Sequence, residues 1–446
     1  MSIDMTGSSA SGIAAALRTR IERGELAPGT LLPSVRAVAV DLGVNRNTVV
    51  AAYRQLAQAG LVEARGRGGT RVADRAEVAQ EGYAPDTVLR DVGTGNPDPA
   101  RIPDPTAALA RSARPVLYGE PVIDPGLEAW ARAWMADQLP HGDVRITVTS
   151  GASDAIERLL AQALRRDDAV ALEDPCFLSA LHTVRTGGYR AVPVDVDAEG
   201  MTADGLRAAL EAGVRAVICT PRAHNPTGAS LTERRAAALR TVLAEYPYVL
   251  VIEDDHFSLL SRSPLHSVIG PAQKRWARIR SMSKFLGPDT CLAVTASDPD
   301  TADGLAVRLT PGTTWVSHIL QRLTLALVTD DEVRADIEAA AVHYAARNAA
   351  FARSLTERGL PTTPGDGLNL WVPLPVSAAS VRDDLMRRGW LVREGDPFFL
   401  SPAPAGDFLR LTVHDLDESS ATALADDIAV AAGTRRPDPR SGRIEA

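Results

Sequence analysis

From residue 145 onward, short apolar runs (RITVT at 145–149, AVALE at 169–173, RAVICT at 215–220, YVLVIED at 248–254) alternate with stretches of helical periodicity. A run that is apolar at nearly every position must be covered on both faces. The alternation therefore predicts an α/β fold, with a mainly parallel sheet between two layers of helices. From about 365 to 431 the order changes to strand, helix, strand, strand, helix, which predicts a smaller α+β C-terminal part. With 446 residues, 45% of them hydrophobic and 23% charged, the chain exceeds one core, and two or three globular domains are expected. No basic-then-apolar leader and no run of about 18 apolar residues is found, which points to a cytoplasmic protein without a membrane partner. Cys176, Cys219 and Cys291 lie far apart, without CxxC or Cys/His spacing, and this argues against both a disulfide framework and a bound metal.

Residues 9–75 read as a separate small domain. Ile13, Leu17 and Ile21 share one helical face after the caps Ser9 and Ser11. Pro33 stands where a second helix begins, Val35, Val38 and Leu42 give that helix its apolar face, and Gly43 supplies the turn into a third helix near Asn45. In the third helix Val49, Tyr53 and Leu56 point inward, while Arg46, Asn47, Thr48 and Arg54 stay on other faces. An arginine can read guanine and an asparagine adenine by paired hydrogen bonds in a major groove, so Arg46 and Asn47 are candidate base readers. The stretch LVEARGRGGTRVAD predicts two short strands around a glycine-rich turn, with Arg65, Arg67 and Arg71 available to phosphates. Residues 1–75 hold ten arginines against six acids, whereas the whole chain is −8, the asymmetry of a nucleic-acid-binding head on an acidic body. A small helical subdomain with a solvated arginine face is the plainer alternative.

Residues 76–95 read as a linker and 96–432 as the body, with 365–432 its smaller part. The Arg/Pro-rich tail, 433–446, is predicted to be disordered. Ligands of parallel sheets collect at the carboxyl ends of strands, and several side chains fall there. The sequence has only two lysines. Lys284 follows the strand ARIR, and lysine, unlike arginine, can condense with an aldehyde cofactor. Asp254 ends YVLVIED and could pair with a protonated pyridine nitrogen. Asn225 sits in the rigid turn HNPTG, and Gly151, Ala152 and Ser153 open a helix whose free N–H groups suit a phosphate. Phe177 could stack on a ring and Arg410 could clamp a carboxylate. Each has an ordinary alternative: a surface lysine, a strand-end cap, an Asn-Pro turn, any strand-to-helix turn, a core aromatic, an ion-paired arginine.

Together, GELAPGTLLPSVRAVAVDLGVNRNTVVAAYRQLAQAGLVEARGRGGTRV and the body constellation resemble two known families. The head resembles the winged helix-turn-helix of GntR-family regulators, which implies that Ser34, Arg36, Arg46, Thr48, Gly68 and Gly69 lie at or beside DNA. The body is similar to type I pyridoxal-phosphate enzymes of the aspartate aminotransferase class. The fusion of the two is the signature of the MocR subfamily of transcriptional regulators. By this resemblance Lys284, Asp254, Asn225, Ser281 and the 151–153 turn bind cofactor, and Arg410 binds an effector carboxylate. Tyr118, in LYGEP, reaches the phosphate of a neighbouring subunit, which implies a head-to-tail homodimer on a double-stranded operator.

Two positions depart from the pattern. His256 stands where most relatives carry a tyrosine bonded to the ring oxygen, a role imidazole can fill. Cys291 stands where an arginine usually holds the phosphate. Losing such a charge-assisted hydrogen bond costs roughly 1.5–3 kcal/mol, or about ten- to a hundred-fold in affinity, unless Arg280 or another cation moves in. Weak, reversible binding of pyridoxal phosphate is the favoured outcome. A non-phosphorylated relative, or a pocket that forms no bond to Lys284, remains open. The function expected is regulation of transcription by sensing pyridoxal phosphate or an amino compound, without catalytic residues at work. The alternatives are a working aminotransferase and a purely structural dimerisation body. The resemblance implies control of vitamin B6, amino acid or related nitrogen metabolism.

Overall fold

The protein is described by a computed structural model, covering residues 9–23, 25–27, 29–58, 61–64, 69–72, 82–84, 87–139, 142–309, 315–400 and 407–434. Two compact units emerge, Met1–Gln80 and Glu81–Ala446.

In the first unit, α1 (Ala10–Glu22), α2 (Val35–Asp41) and α3 (Arg46–Gln58) precede the antiparallel strands β1 (Val62–Ala64) and β2 (Thr70–Val72). Ser9 caps α1 by accepting from the Gly12 N–H. Pro33 falls two residues before α2 rather than inside it. Ser34 is the cap, its hydroxyl accepting from Ala37 N, and the Pro33 carbonyl instead accepts from the Tyr53 hydroxyl at 2.7 Å. Gly43 takes the left-handed φ of +63° that turns the chain from α2 into α3. Ile13, Leu17, Val38, Val49, Tyr53 and Leu56 form the core with Val62 and Val72 from the strands, as the helical spacing predicts. Burial pushes the Tyr53 hydroxyl up to about 12.

The second unit opens with β3 (Arg90–Asp91), followed by β4 (Arg145–Thr149), β5 (Ala169–Asp174), β6 (Arg190–Asp197), β7 (Gly200–Met201), β8 (Ala216–Cys219), β9 (Leu250–Asp255), β10 (Trp276–Ser281) and β11 (Ala293–Ser297). Eight of these form one sheet in the order β4-β11-β10-β9-β8-β5-β6-β7. β10, β9, β8, β5 and β6 run parallel in that order, while β11 is antiparallel to both of its neighbours. Alternate residues go to opposite faces. Val170, Leu172, Ala216, Ile218, Leu250, Ile252 and Ile279 pack with the helices Ala152–Ala163, Leu178–Thr186 and Pro299–Leu309. Ala171, Val217, Cys219, Val251 and Trp276 pack with Pro125–Met135, Ala203–Glu211, Glu233–Ala244 and His318–Val328. Burial of both faces explains the continuous apolar runs.

The 27-residue helix Asp331–Glu357 leads to the smaller part, where β12 (Leu370–Leu374), β13 (Trp390–Leu391), β14 (Arg393–Glu394) and β15 (Asp407–Leu411) pack with Ala378–Arg387 and Glu418–Ala431. β12, β15 and β14 form one antiparallel sheet, and β13 pairs with β3. Residues 90–95, placed at the end of the linker by the sequence reading, thus pair and hydrogen-bond within the second unit. Much of 73–86 and all of the tail beyond 434 lie outside the described residues.

Candidate functional site

β9 ends in three consecutive acids, and the period of the strand separates them. Glu253 and Asp255 face one way, in register with Arg278 and Arg280 of β10. Arg278 Nε donates to Glu253 at 2.6 Å and Arg280 Nε donates to Asp255 at 3.0 Å. Arg222 clamps Asp255 through two bonds, at 2.8 and 2.9 Å, and holds its carboxyl below the usual range despite burial. Arg280 also donates to the Trp134 carbonyl and to Gln138, with its guanidinium 4.4 Å from the Trp134 ring centroid. The side chain considered as a substitute phosphate anchor is therefore committed to the opposite face of the sheet.

Asp254, between them, faces the other way, and only 4% of it is exposed. Burial, then the charge of Asp255, raises its carboxyl to about 7 against the opposing pull of Lys284. Its Oδ1 is buried without a hydrogen-bond partner among the described residues. A buried acceptor left in this way fits a donor such as a protonated ring nitrogen. His256 Nδ1 lies 4.0 Å from the other carboxyl oxygen, and the imidazole is parallel to the Phe177 ring at 6.2 Å between centroids.

Lys284, His256 and Asn225 line one recess together with His224, Leu368 and Asn369. Lys284 Nζ donates to the Gly95 carbonyl at 3.2 Å. Arg410, fully buried on β15, donates to Asn225 Oδ1 at 3.3 Å and to the Gly93 carbonyl at 2.7 Å, with its guanidinium 5.0 Å from the Phe398 ring centroid. The fold thus brings Lys284, Asp254, His256, Phe177, Asn225 and Arg410 into one neighbourhood from five separate stretches of chain.

The 151–153 turn begins its helix with Gly151 at φ +92°. Cys291 Sγ donates to the Ser150 carbonyl at 3.5 Å, and a Cβ placed on Gly151 would come 3.9 Å from that sulfur. The thiol therefore stands beside the turn nominated for phosphate. Ser150 N is bonded to Asp154, Ser153 Oγ meets Ser179 Oγ at 2.7 Å, and Ser281 Oγ accepts from Ser283 N. Tyr118 is 89% exposed, packs on Trp315, and is not among the residues lining the recess.

Four contributors went unnoticed in the sequence. Glu173, 3% exposed at the end of β5, accepts from Thr220 N and lies 3.5 Å from His224 Nε2. Burial raises the Glu173 carboxyl to about 8 and lowers the His224 imidazole to about 3, so both are neutral at pH 7. An acid closing the apolar run AVALE was the available signal. Gly93 and Gly95 act through their carbonyls, which side-chain reasoning does not see.

In the head, Arg46, Asn47 and Arg54 are exposed along α3 and Thr48 is half-buried. Asn45 Oδ1 accepts from Asn47 N and so caps the helix start. Ser34 and Arg36 are exposed at the start of α2. Gly69 takes a φ of +79°, and a Cβ there would fall 2.8 Å from Leu31 Cδ1. Arg71 spends one N–H on the Gly29 carbonyl at 2.8 Å. Arg65, Arg67 and Gly68 lie outside the described residues.

Among the described residues no helix is long and apolar enough to cross a membrane, and no cluster of three metal-ligating side chains occurs. Residues 9–72 match the family of bacterial regulatory proteins of gntR type, and residues 93–428 match aminotransferase class I and II. The chain is 48% identical over 424 residues to the vitamin B6 salvage pathway transcriptional repressor PtsJ of Salmonella typhimurium, covering 95% of this chain and 98% of that one. It is 30% identical over 264 residues to the pyridoxine biosynthesis regulator PdxR of Corynebacterium glutamicum, covering 55% of each chain. In fold it is similar to a kynurenine aminotransferase of Pyrococcus horikoshii, solved in complex with PMP. The TM-score is 0.69 and the identity 20%, with 79% of this chain and 93% of that one covered. The chain therefore belongs to the MocR subfamily of GntR-family transcriptional regulators, which join a winged helix-turn-helix head to an aminotransferase-like body.

Proposed function

We propose that this DNA-binding regulator uses its body to sense pyridoxal phosphate, held weakly and reversibly, and does not turn substrate over. The observation that carries the reading is the buried Asp254 Oδ1, without a hydrogen-bond partner among the described residues and within the electrostatic reach of Lys284. Pyridoxal phosphate supplies an aldehyde that condenses with a lysine amine and a ring nitrogen that takes up a proton. Lys284 would offer the amine, Asp254 would accept from the ring nitrogen, and Asn225 and His256 would donate to the ring oxygen. Gly151, Ala152, Ser153 and Ser281 offer neutral donors to the phosphate. Beside a Cys291 thiol these give a weaker hold than a guanidinium. Arg410 is the candidate anchor for the carboxylate of an amino compound.

The protein acts on double-stranded DNA in the cytoplasm as a head-to-tail homodimer, with the exposed Tyr118 turned to the phosphate end of the second copy's recess. Arg46 and Asn47 read bases, Arg65 and Arg67 meet phosphates, and Ser34, Arg36, Thr48, Gly68 and Gly69 lie at or beside the DNA. The similarity to PtsJ and PdxR supports vitamin B6 metabolism as the regulated process. The test is the visible absorbance of purified protein after addition of pyridoxal phosphate, with Lys284→Ala as control and a footprint on the DNA upstream of its gene. A band in the wild type alone, with retained DNA, is expected. Identical spectra would remove the cofactor, and steady turnover of an amino donor with a keto acid would restore the enzyme reading.

A further inference from the structure

The two cations offered to a ligand come from different parts of the body. Lys284 follows β10 of the eight-stranded sheet, whereas Arg410 lies on β15 of the smaller part. Both donate to backbone carbonyls of one short segment, Lys284 to Gly95 at 3.2 Å and Arg410 to Gly93 at 2.7 Å. The segment is closely fitted. A Cβ on Gly93 would lie 3.0 Å from Arg393 N, and Gly95 takes a left-handed φ of +66°. The Gly95 N–H donates to Thr412 Oγ1, Thr412 N donates to the Val92 carbonyl, and His414 Nε2 donates to the Asn96 carbonyl. Upstream, the Thr94 carbonyl accepts from Gly82 N, at the start of the second unit. In sequence this is the stretch through which the chain passes from the DNA-binding unit into the body.

We propose that residues 92–96 form a strap that reports ligand occupancy of the recess. The proposal rests on the reading that a carbonyl ligand condenses with Lys284. In that step the ammonium gives a proton to solvent, its nitrogen bonds to the aldehyde carbon as C=N, and the aldehyde oxygen leaves as water. The nitrogen is then no longer an ammonium donating to Gly95 O. A ligand carboxylate that engages Arg410 competes with the Gly93 carbonyl in the same way. Condensation at Lys284 and a carboxylate at Arg410 therefore act on one peptide stretch, and loosening that stretch weakens its hold on Gly82, on the side of the chain that leads to the head. Such coupling between sites typically changes affinity about 5- to 150-fold.

Hydrogen exchange of the full-length protein, read on peptides covering 90–98, tests the strap. Lys284→Ala alone is expected to speed exchange of the Gly95 and Asn96 amides about ten-fold or more, as loss of one charge-assisted bond implies. Wild type with pyridoxal phosphate, its absorbance band recorded on the same sample, is expected to do likewise. Lys284→Ala with the cofactor should change no further. β8, remote from the strap, serves as the reference, and if the alanine variant loses protection there, Lys284→Met replaces it. Unchanged exchange of 90–98 in a folded Lys284 variant overturns the proposal, as does a visible band with unchanged or slower exchange. Absence of a band sinks the cofactor reading instead, and the variant arm still decides the strap.

Discussion

Replacing Cys291 with arginine is the most direct test of how the body holds its ligand. Cys291 is exposed, its sulfur lies 3.5 Å from the Ser150 carbonyl, and it is next to the turn that opens the helix Ala152–Ala163. Its φ of +40° is unfavourable for any residue with a Cβ, so arginine adds no new backbone penalty at a position that already carries one. An exposed site also has room for the longer stem. A guanidinium there adds a bidentate, charge-assisted contact of roughly 1.5–3 kcal/mol, which corresponds to about a ten- to hundred-fold lower Kd for pyridoxal phosphate. The assay is absorbance titration of wild type and Cys291→Arg against pyridoxal phosphate and, separately, pyridoxal. Pyridoxal lacks the phosphate, so its affinity should hardly move. Equal gains for both compounds, or no gain for either in a folded variant, would refute the assignment of Cys291 to the phosphate end.

Three other outcomes follow from the same geometry. Glu173 has its carboxyl raised by burial to about 8, so the folded protein keeps a proton that the unfolded chain releases from about pH 4.5 upward. Wild-type stability should fall on this account between about pH 4.5 and 8. Glu173→Gln has no such proton and should gain on wild type across that window in urea melts, by a few kcal/mol at the top; a pH-independent difference would contradict a neutral Glu173. Arg280→Gln leaves Asp255 short of a buried partner and should destabilise the body by roughly 3–5 kcal/mol, with little change if Arg222 alone suffices. Arg46→Ala should cost about 1–3 kcal/mol of DNA affinity in a fluorescence titration and relax the preference at one base pair. A uniform loss over all sequences would place Arg46 on phosphate instead.

The head was legible because its information is local. The 4 and 3 spacing of Val49, Tyr53 and Leu56 fixes the buried face of α3, and the φ demand at Gly43 fixes the turn before it. The sheet was legible for a related reason, since fully apolar runs have one stable solution in a soluble chain. The carboxyl edge was legible only where a side chain carries unusual chemistry, as with a lysine in a chain nearly devoid of them. Strand parity was harder to use. Without the register of β9 against β10, Glu253, Asp254 and Asp255 are three equivalent acids, and Arg280 looks free to approach a phosphate. Register assigns two of the acids to arginines and leaves Asp254 on the opposite face, where it feels the charge of Lys284.

That division bears on why such a body can serve as a sensor. The arginine ladder of Arg278, Arg280 and Arg222 is satisfied entirely by buried carboxylates and their neighbours, so a ligand has nothing to compete with there. On the opposite side Lys284 and Arg410 donate to peptide carbonyls, contacts that a carbonyl ligand or a carboxylate can replace on favourable terms. A ligand shifts an equilibrium only by its differential affinity for the two states. The rigid ladder supplies a fixed floor, and the replaceable carbonyl contacts supply the difference. On the proposed reading, a weak phosphate hold at Cys291 would keep the total affinity low enough for the occupied and vacant states to exchange as the ligand's concentration changes.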